Sequence, residues 1–115
     1  MHGQTYADDR GIWQVTALWD AAKGLPVEVV PRCTLEPQLD SYCWAPNSEE
    51  PLTAREILDH TIRILNADMT YPILISQFGW VMDGMHRLAK AVLMDYPYNS
   101  IQRFTTDPPP TTTRS

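Results

Sequence analysis

Residues 71–104 read YPILISQFGWVMDGMHRLAKAVLMDYPYNSIQRF, and this stretch decides the fold. The apolar run at 72–76 and the run Trp80-Val81-Met82 flank Gln77-Phe78-Gly79, which predicts a β-hairpin closed by a glycine turn. Directly after it, Met85, Leu88, Ala89, Val92 and Leu93 recur at helical spacing until Tyr96-Pro97 stops them. A helix therefore begins where the hairpin ends. Beyond it, residues 100–104 alternate well enough for a short closing strand. A strand that runs straight into a helix leaves that helix's first amides unpaired, and such amides attract anions.

The side chains at this junction suit the same chemistry. With Asp83 as the helix cap, His86, Arg87 and Lys90 fall on the face away from Met85, Leu88 and Val92, with His86 and Lys90 one turn apart. Gly84 has no side chain, so a phosphate oxygen could approach the Gly84 and Met85 backbone closely. Gly84, Met85, His86, Arg87 and Lys90 thus form a candidate phosphate cradle. The alternative is that Asp83 only caps, Gly84 only turns the chain, and the bases sit in solvent. A carboxylate beside a phosphate repels it unless a cation intervenes. Mg²⁺ takes both kinds of oxygen, so Asp83 is a candidate metal ligand, or else a general base towards a hydroxyl acceptor. Spacing does not choose between these roles. Asp83 and His86 are the candidate catalytic residues.

Upstream, Thr53 and Glu56 can close a capping box, and Ile57, Leu58, Ile62 and Leu65 make one apolar stripe, which predicts a helix over 54–66. Glu56, His60 and Arg63 share a ridge that could face the junction across a cleft, or serve as cap, core edge and surface. VEVV at 27–30 predicts an edge strand between two prolines, and 31–51 a long connection anchored by Trp44. Trp44, with Tyr42 and Trp80, either stacks on a nucleobase or anchors the core. Ile12, Val15, Leu18, Trp19 and Ala22 predict a first helix over 11–23, with Trp13 and Trp19 packing the core or a dimer partner. TTDPPPTTTRS lacks any aliphatic residue and predicts a mobile tail. The expected organisation is an N-terminal helical segment (1–25), a folded domain (26–104) and a disordered tail (105–115).

The whole chain has 115 residues, 43% of them hydrophobic and 20% charged, which suffices for one domain with a core. A net charge of −5 repels nucleic-acid backbones and acidic lipids, so duplex DNA and membrane surfaces are not expected partners and any anion site must be local. No apolar run nears the ~20 residues of a membrane helix, and a soluble cytoplasmic protein is the expectation. Cys33 and Cys43, ten positions apart, read as reduced thiols, and the spacing of the cysteines and histidines does not suit structural zinc.

The hairpin, the DGMHR motif and the helix that precedes them resemble the ParB/sulfiredoxin-like fold, whose members place a DGxHR or related motif after a hairpin. Residues 26–104 can be laid on it. The resemblance implies an α+β domain with a small mixed sheet and a hairpin leading into a motif helix. It also implies a nucleoside tri- or diphosphate, with Mg²⁺, gripped through Gly84, His86 and Arg87, with Asp83 as the acidic member. Members include CTP-hydrolysing partition proteins, ATP-using sulfiredoxins and a nucleotide-dependent serine kinase. Met85 stands where sulfiredoxins carry cysteine, and a thioether cannot perform their attack. A partition protein's DNA reader finds no room in 115 residues. The expected function is therefore binding of a nucleotide or small phosphorylated molecule, with hydrolysis or transfer to a hydroxyl acceptor. The alternatives are an interaction module for a protein partner or a second copy, and a nuclease-like member, against which the acidic balance stands.

Overall fold

The computed structural model describes residues 5–41 and 53–113. β1 (Thr5–Asp8) and β2 (Gly11–Gln14) form an antiparallel hairpin, and α1 (Val15–Ala22) follows β2 without a break. Next come β3 (Glu28–Pro31), α2 (Arg32–Leu35) and a 3₁₀ turn (Glu36–Asp40). After α3 (Ala54–Leu65), the decisive stretch supplies β4 (Ile73–Ile75), β5 (Val81–Asp83), α4 (Met85–Leu93) and β6 (Tyr98–Arg103), and β7 (Thr112–Thr113) ends the described chain. The second sheet has the order β3-β6-β4-β5 and is mixed, because β4 runs parallel to β6 while the other pairs are antiparallel. The first sheet has the order β1-β2-β7. The architecture is α+β with small sheets, and β3 lies at a sheet edge as its flanking prolines predict.

The unbroken apolar run of β4 follows from burial on both faces. Leu74 and Met82 join Trp13, Val15, Leu18, Ala22 and Phe104 in one core cluster. Ile73, Ile75 and Val81 point the other way, into a cluster with Leu35, Met85, Leu88 and Ile101. Each fully buried aliphatic contributes roughly 1.5–3 kcal/mol, so these residues fix both the hairpin and the pose of α4 upon it. The outer edge of β5 is covered by one side chain: the Gln38 amide accepts from Val81 N at 2.8 Å and donates to Gly79 O at 2.8 Å.

Three expectations are corrected. Ile12 and Trp13 lie in β2, outside the first helix, because burial alternates at Gly11, Trp13 and Val15 and only then takes up helical spacing. The N-terminal segment is thus a hairpin plus a helix. The connection after β3 is helical over 32–40, tied down by buried Leu35, while Tyr42, Cys43 and Trp44 lie outside the described residues. Cys33 is an exposed free thiol.

The third correction concerns the Pro-rich segment, which is docked as far as it is described. Trp13 Nε1 donates to Pro108 O at 2.8 Å, Gln14 N donates to Thr111 Oγ1 at 3.1 Å, and Thr112 and Thr113 pair with β2. Asp107 accepts from Gln77 N at 2.7 Å, donates its own N–H to Gln77 Oε1 at 2.7 Å and ion-pairs with Arg10 at 2.9 Å. Specific polar bonds hold this segment where aliphatic burial is absent. Gly11 permits the approach, since a Cβ there would sit against Thr112 O, closer than any real Cβ contact.

The Thr53 half of the expected capping box is in place, Thr53 Oγ1 accepting from Glu56 N at 3.2 Å. Its apolar stripe is not buried: Ile57, Leu58, Ile62 and Leu65 are each about half exposed.

Candidate functional site

β5 ends at Asp83, Gly84 turns the chain and α4 starts at Met85. Gly84, not Asp83, is the N-cap residue, so the capping position offers no side-chain acceptor. Gly84 adopts φ 108°, a left-handed backbone that favours glycine, and a Cβ there would meet Arg87 Nη1 at 2.8 Å and Ile73 Cγ1 and Cα at 3.1 and 3.2 Å. Ile73 and Arg87 thus occupy the space beside its α-carbon. Asp83 instead accepts from Trp19 Nε1 at 2.9 Å and pairs loosely with Arg87 at 3.5 Å. Arg87 Nη1 also donates to Pro72 O at 3.2 Å, which ties α4 to the start of β4.

The other two bases turn away from the junction towards α3. His86 Nε2 and His60 Nδ1 are 3.1 Å apart and share a hydrogen bond. The rings are 17° from coplanar with centroids 5.4 Å apart, and a ring-nitrogen hydrogen bond lies in the ring plane, so they meet edge to edge. Burial, then His60 and Arg63, push the His86 imidazole down to about 4, against the opposing charge of Asp83. Burial and Arg63 lower His60 as well. His86 is therefore neutral near pH 7 and brings no positive charge to an anion. Lys90 Nζ donates to Leu65 O at 2.9 Å and Ala67 O at 3.0 Å, closing the C-terminal end of α3. Of the ridge Glu56, His60 and Arg63, His60 touches the motif helix, Arg63 acts on it by charge, and Glu56 takes part in the cap of α3. The Met85 side chain is buried in the core.

Arg87 opens onto a cavity. The space, about 530 Å³, lies between α1 and the β4–β6 sheet, with Trp19, Lys23, Tyr71, Leu74, Arg87 and Gln102 among its walls. That volume suits a small organic ligand. Trp19 and Tyr71 are 50% and 61% exposed, so two large aromatic faces border it. The Arg87 guanidinium lies 5.9 Å from the Tyr71 ring centroid. Gln102 is held by Ala22 O and Leu25 O, which fixes that wall. Sequence reasoning misses Tyr71 and Gln102 and takes Trp19 for a packing residue. They lie in separate elements, and only the pairing of β6 beside β4, with α1 packed against them, assembles them.

The donors present do not suit a protein-held Mg²⁺. Asp83 is engaged by Trp19 and Arg87, and among the described residues no three His, Cys, Asp or Glu side chains converge. No protein-family model, curated protein or solved structure matches this chain.

Proposed function

We propose that the protein binds a nucleotide, or another phosphorylated molecule carrying a planar ring, at the β5–α4 junction, as its ParB/sulfiredoxin-like resemblance implies. One observation carries this: Arg87 presents its guanidinium to a cavity bordered by two exposed aromatic rings. A guanidinium is a planar fork that suits phosphate oxygens, and Trp19 and Tyr71 offer faces on which a base can stack. Lys23 stands at the same wall, exposed and paired with Asp20. The Asp83–Arg87 pair, at 3.5 Å, is longer than the ~2.7–2.9 Å of a strong charge-assisted bond. A phosphate would therefore compete with Asp83 for Arg87, and a cation arriving with the nucleotide would offset the repulsion between the two anions.

The phosphate grip here is Arg87 with the surrounding backbone, while His86 and Lys90 position α4 against α3. Mg²⁺ enters only with the nucleotide. Asp83 could accept a proton from a hydroxyl acceptor only after releasing Trp19, so binding is better supported than turnover. Calorimetric titration with ATP, CTP, ADP and GTP, with and without Mg²⁺, tests this. The expected result is saturable binding weakened about tenfold or more by Arg87→Ala, in line with loss of a charged hydrogen bond worth ~1.5–3 kcal/mol. Binding unchanged in that variant, or none at millimolar ligand, refutes it.

A specific observation favours a second reading, an interaction module: the α3 stripe of Ile57, Leu58, Ile62 and Leu65 faces outward. Its discriminator is partner capture that survives Arg87→Ala.

A further inference from the structure

The turn between β1 and β2 meets the turn between β4 and β5, and the two enclose a second recess of about 390 Å³. It is lined by Tyr6, Asp8, Asp9, Arg10, Phe78 and Trp80, none of which borders the Arg87 cavity. Phe78 and Trp80 are 63% and 53% exposed, and their bonds to Ser76 in the hairpin turn run through their backbone groups. Three aromatic side chains, two carboxylates and Arg10 line one concavity, and rings set beside carboxylates receive organic cations.

The molecule already shows such a contact there. The Arg10 guanidinium lies 4.9 Å from the Trp13 ring centroid and 5.2 Å from that of Phe78. It is held by Asp8 and by the nearly buried Asp107, each at 2.9 Å. Asp8, Asp9 and Asp107 oppose the single charge of Arg10, so the local balance is negative. The Tyr6 phenol responds to it: burial first, then Asp8, with Asp107 adding, push its pKa up to about 12 against the pull of Arg10. Asp8 is committed to Arg10 and to the Tyr6 hydroxyl. Asp9 is the exposed carboxylate left at the rim.

We propose that this recess binds a methylated ammonium group, with Tyr6, Phe78 and Trp80 contributing ring faces and Asp9 the counter-charge. A methylated ammonium has a diffuse charge and an apolar shell, so it loses little hydration on meeting rings. A primary ammonium is strongly hydrated and would need more acceptors than the recess supplies. A hard divalent cation would need six or more oxygens. The group could belong to a free small molecule or to a methylated lysine side chain of a partner.

Proton and ¹⁵N NMR titrations of the full chain test this. The probes are choline chloride, its neutral isostere 3,3-dimethylbutan-1-ol, and a short peptide with or without trimethyllysine. Expected are an upfield shift of the choline N-methyl protons and saturable movement of the Trp80 indole N–H. The isostere binds at least about tenfold more weakly, as a cation–π preference requires. Trp80→Ala abolishes the effect. Asp9→Asn, at an exposed position that leaves the fold intact, weakens it about threefold or more, the size of an exposed charge contact. Preference for the trimethylated peptide over choline assigns the ligand to a protein partner, and the reverse assigns it to a small molecule; both sustain the recess. Equal binding of the isostere, no shift at about 50 mM choline, or unchanged binding in both variants overturns it. Saturating ADP leaves the choline response unchanged, so the two sites fail or succeed separately.

Discussion

Gly84→Ala probes the junction on which the site is built. Two costs arise there, and the structure separates them. The first is backbone: φ of 108° places an L-residue in the left-handed region at roughly 1–2 kcal/mol. The second is space. The new Cβ would meet Arg87 Nη1 at 2.8 Å, which can swing away, and Ile73 Cα at 3.2 Å, which cannot. Ile73 is 1% exposed in β4, so the strand or the helix must shift, and overpacking of this kind costs roughly 1–3 kcal/mol. The expected sum is about 2–5 kcal/mol, a large share of the ~5–15 kcal/mol by which domains are stable. Gly79→Ala is the internal control. Gly79 has φ 94°, and a Cβ added there would meet nothing within 4 Å, so it carries the backbone cost alone. Urea unfolding followed by circular dichroism, with unchanged slope, measures both. Adding Arg87→Ala to Gly84→Ala relieves the guanidinium contact and recovers only part of the loss. If Gly84→Ala costs no more than Gly79→Ala, α4 does not start against Ile73 and the reasoning fails.

Two further outcomes follow from contacts elsewhere. The folded His86 pKa of about 4 lies below its ordinary 6.5, so the unfolded chain binds more protons between those values, and stability falls as pH drops from 6.5 to 4. At about 1.4 kcal/mol per unit the full conversion is about 3 kcal/mol, and solvent screening of a half-buried group leaves about 1.5. Urea midpoints measured across that window should show this slope, and His86→Gln should flatten it. Asp107→Ala removes the acceptor of Gln77 N and one of the two carboxylates that hold Arg10, a cost of about 2–4 kcal/mol. Thermal unfolding monitors it, and a loss below about 0.5 kcal/mol, the size of an ordinary surface change, would mean that residues 105–113 are not docked.

The hairpin is legible because two apolar runs flank a glycine turn, and α4 and α3 because a 3.6-residue period is written into their apolar positions. The β2–α1 boundary is not, because Ile12, Val15, Leu18 and Ala22 satisfy helical spacing while Trp13 and Val15 also alternate as a strand requires. Residues 105–113 mislead because composition reports burial and is blind to the hydrogen bonds of Trp13, Gln14 and Asp107. At the site, the Asp83-Gly84-Arg87 junction is visible in five consecutive residues. The turning of His86 to His60 depends on how α3 packs, and the Trp19–Tyr71 cavity on how separate elements pack; no local pattern encodes either.

The central claim is that Arg87 and its cavity receive a phosphorylated ring compound. ¹⁵N NMR of the full chain titrated with ADP examines it atom by atom. Saturable shifts should appear at the Trp19 indole N–H and at the Gly84 and Met85 amides, and disappear in Arg87→Ala, while the Trp80 indole stays in place. An unmoved Trp19 and Gly84 at millimolar ADP, or shifts that persist without Arg87, would contradict it.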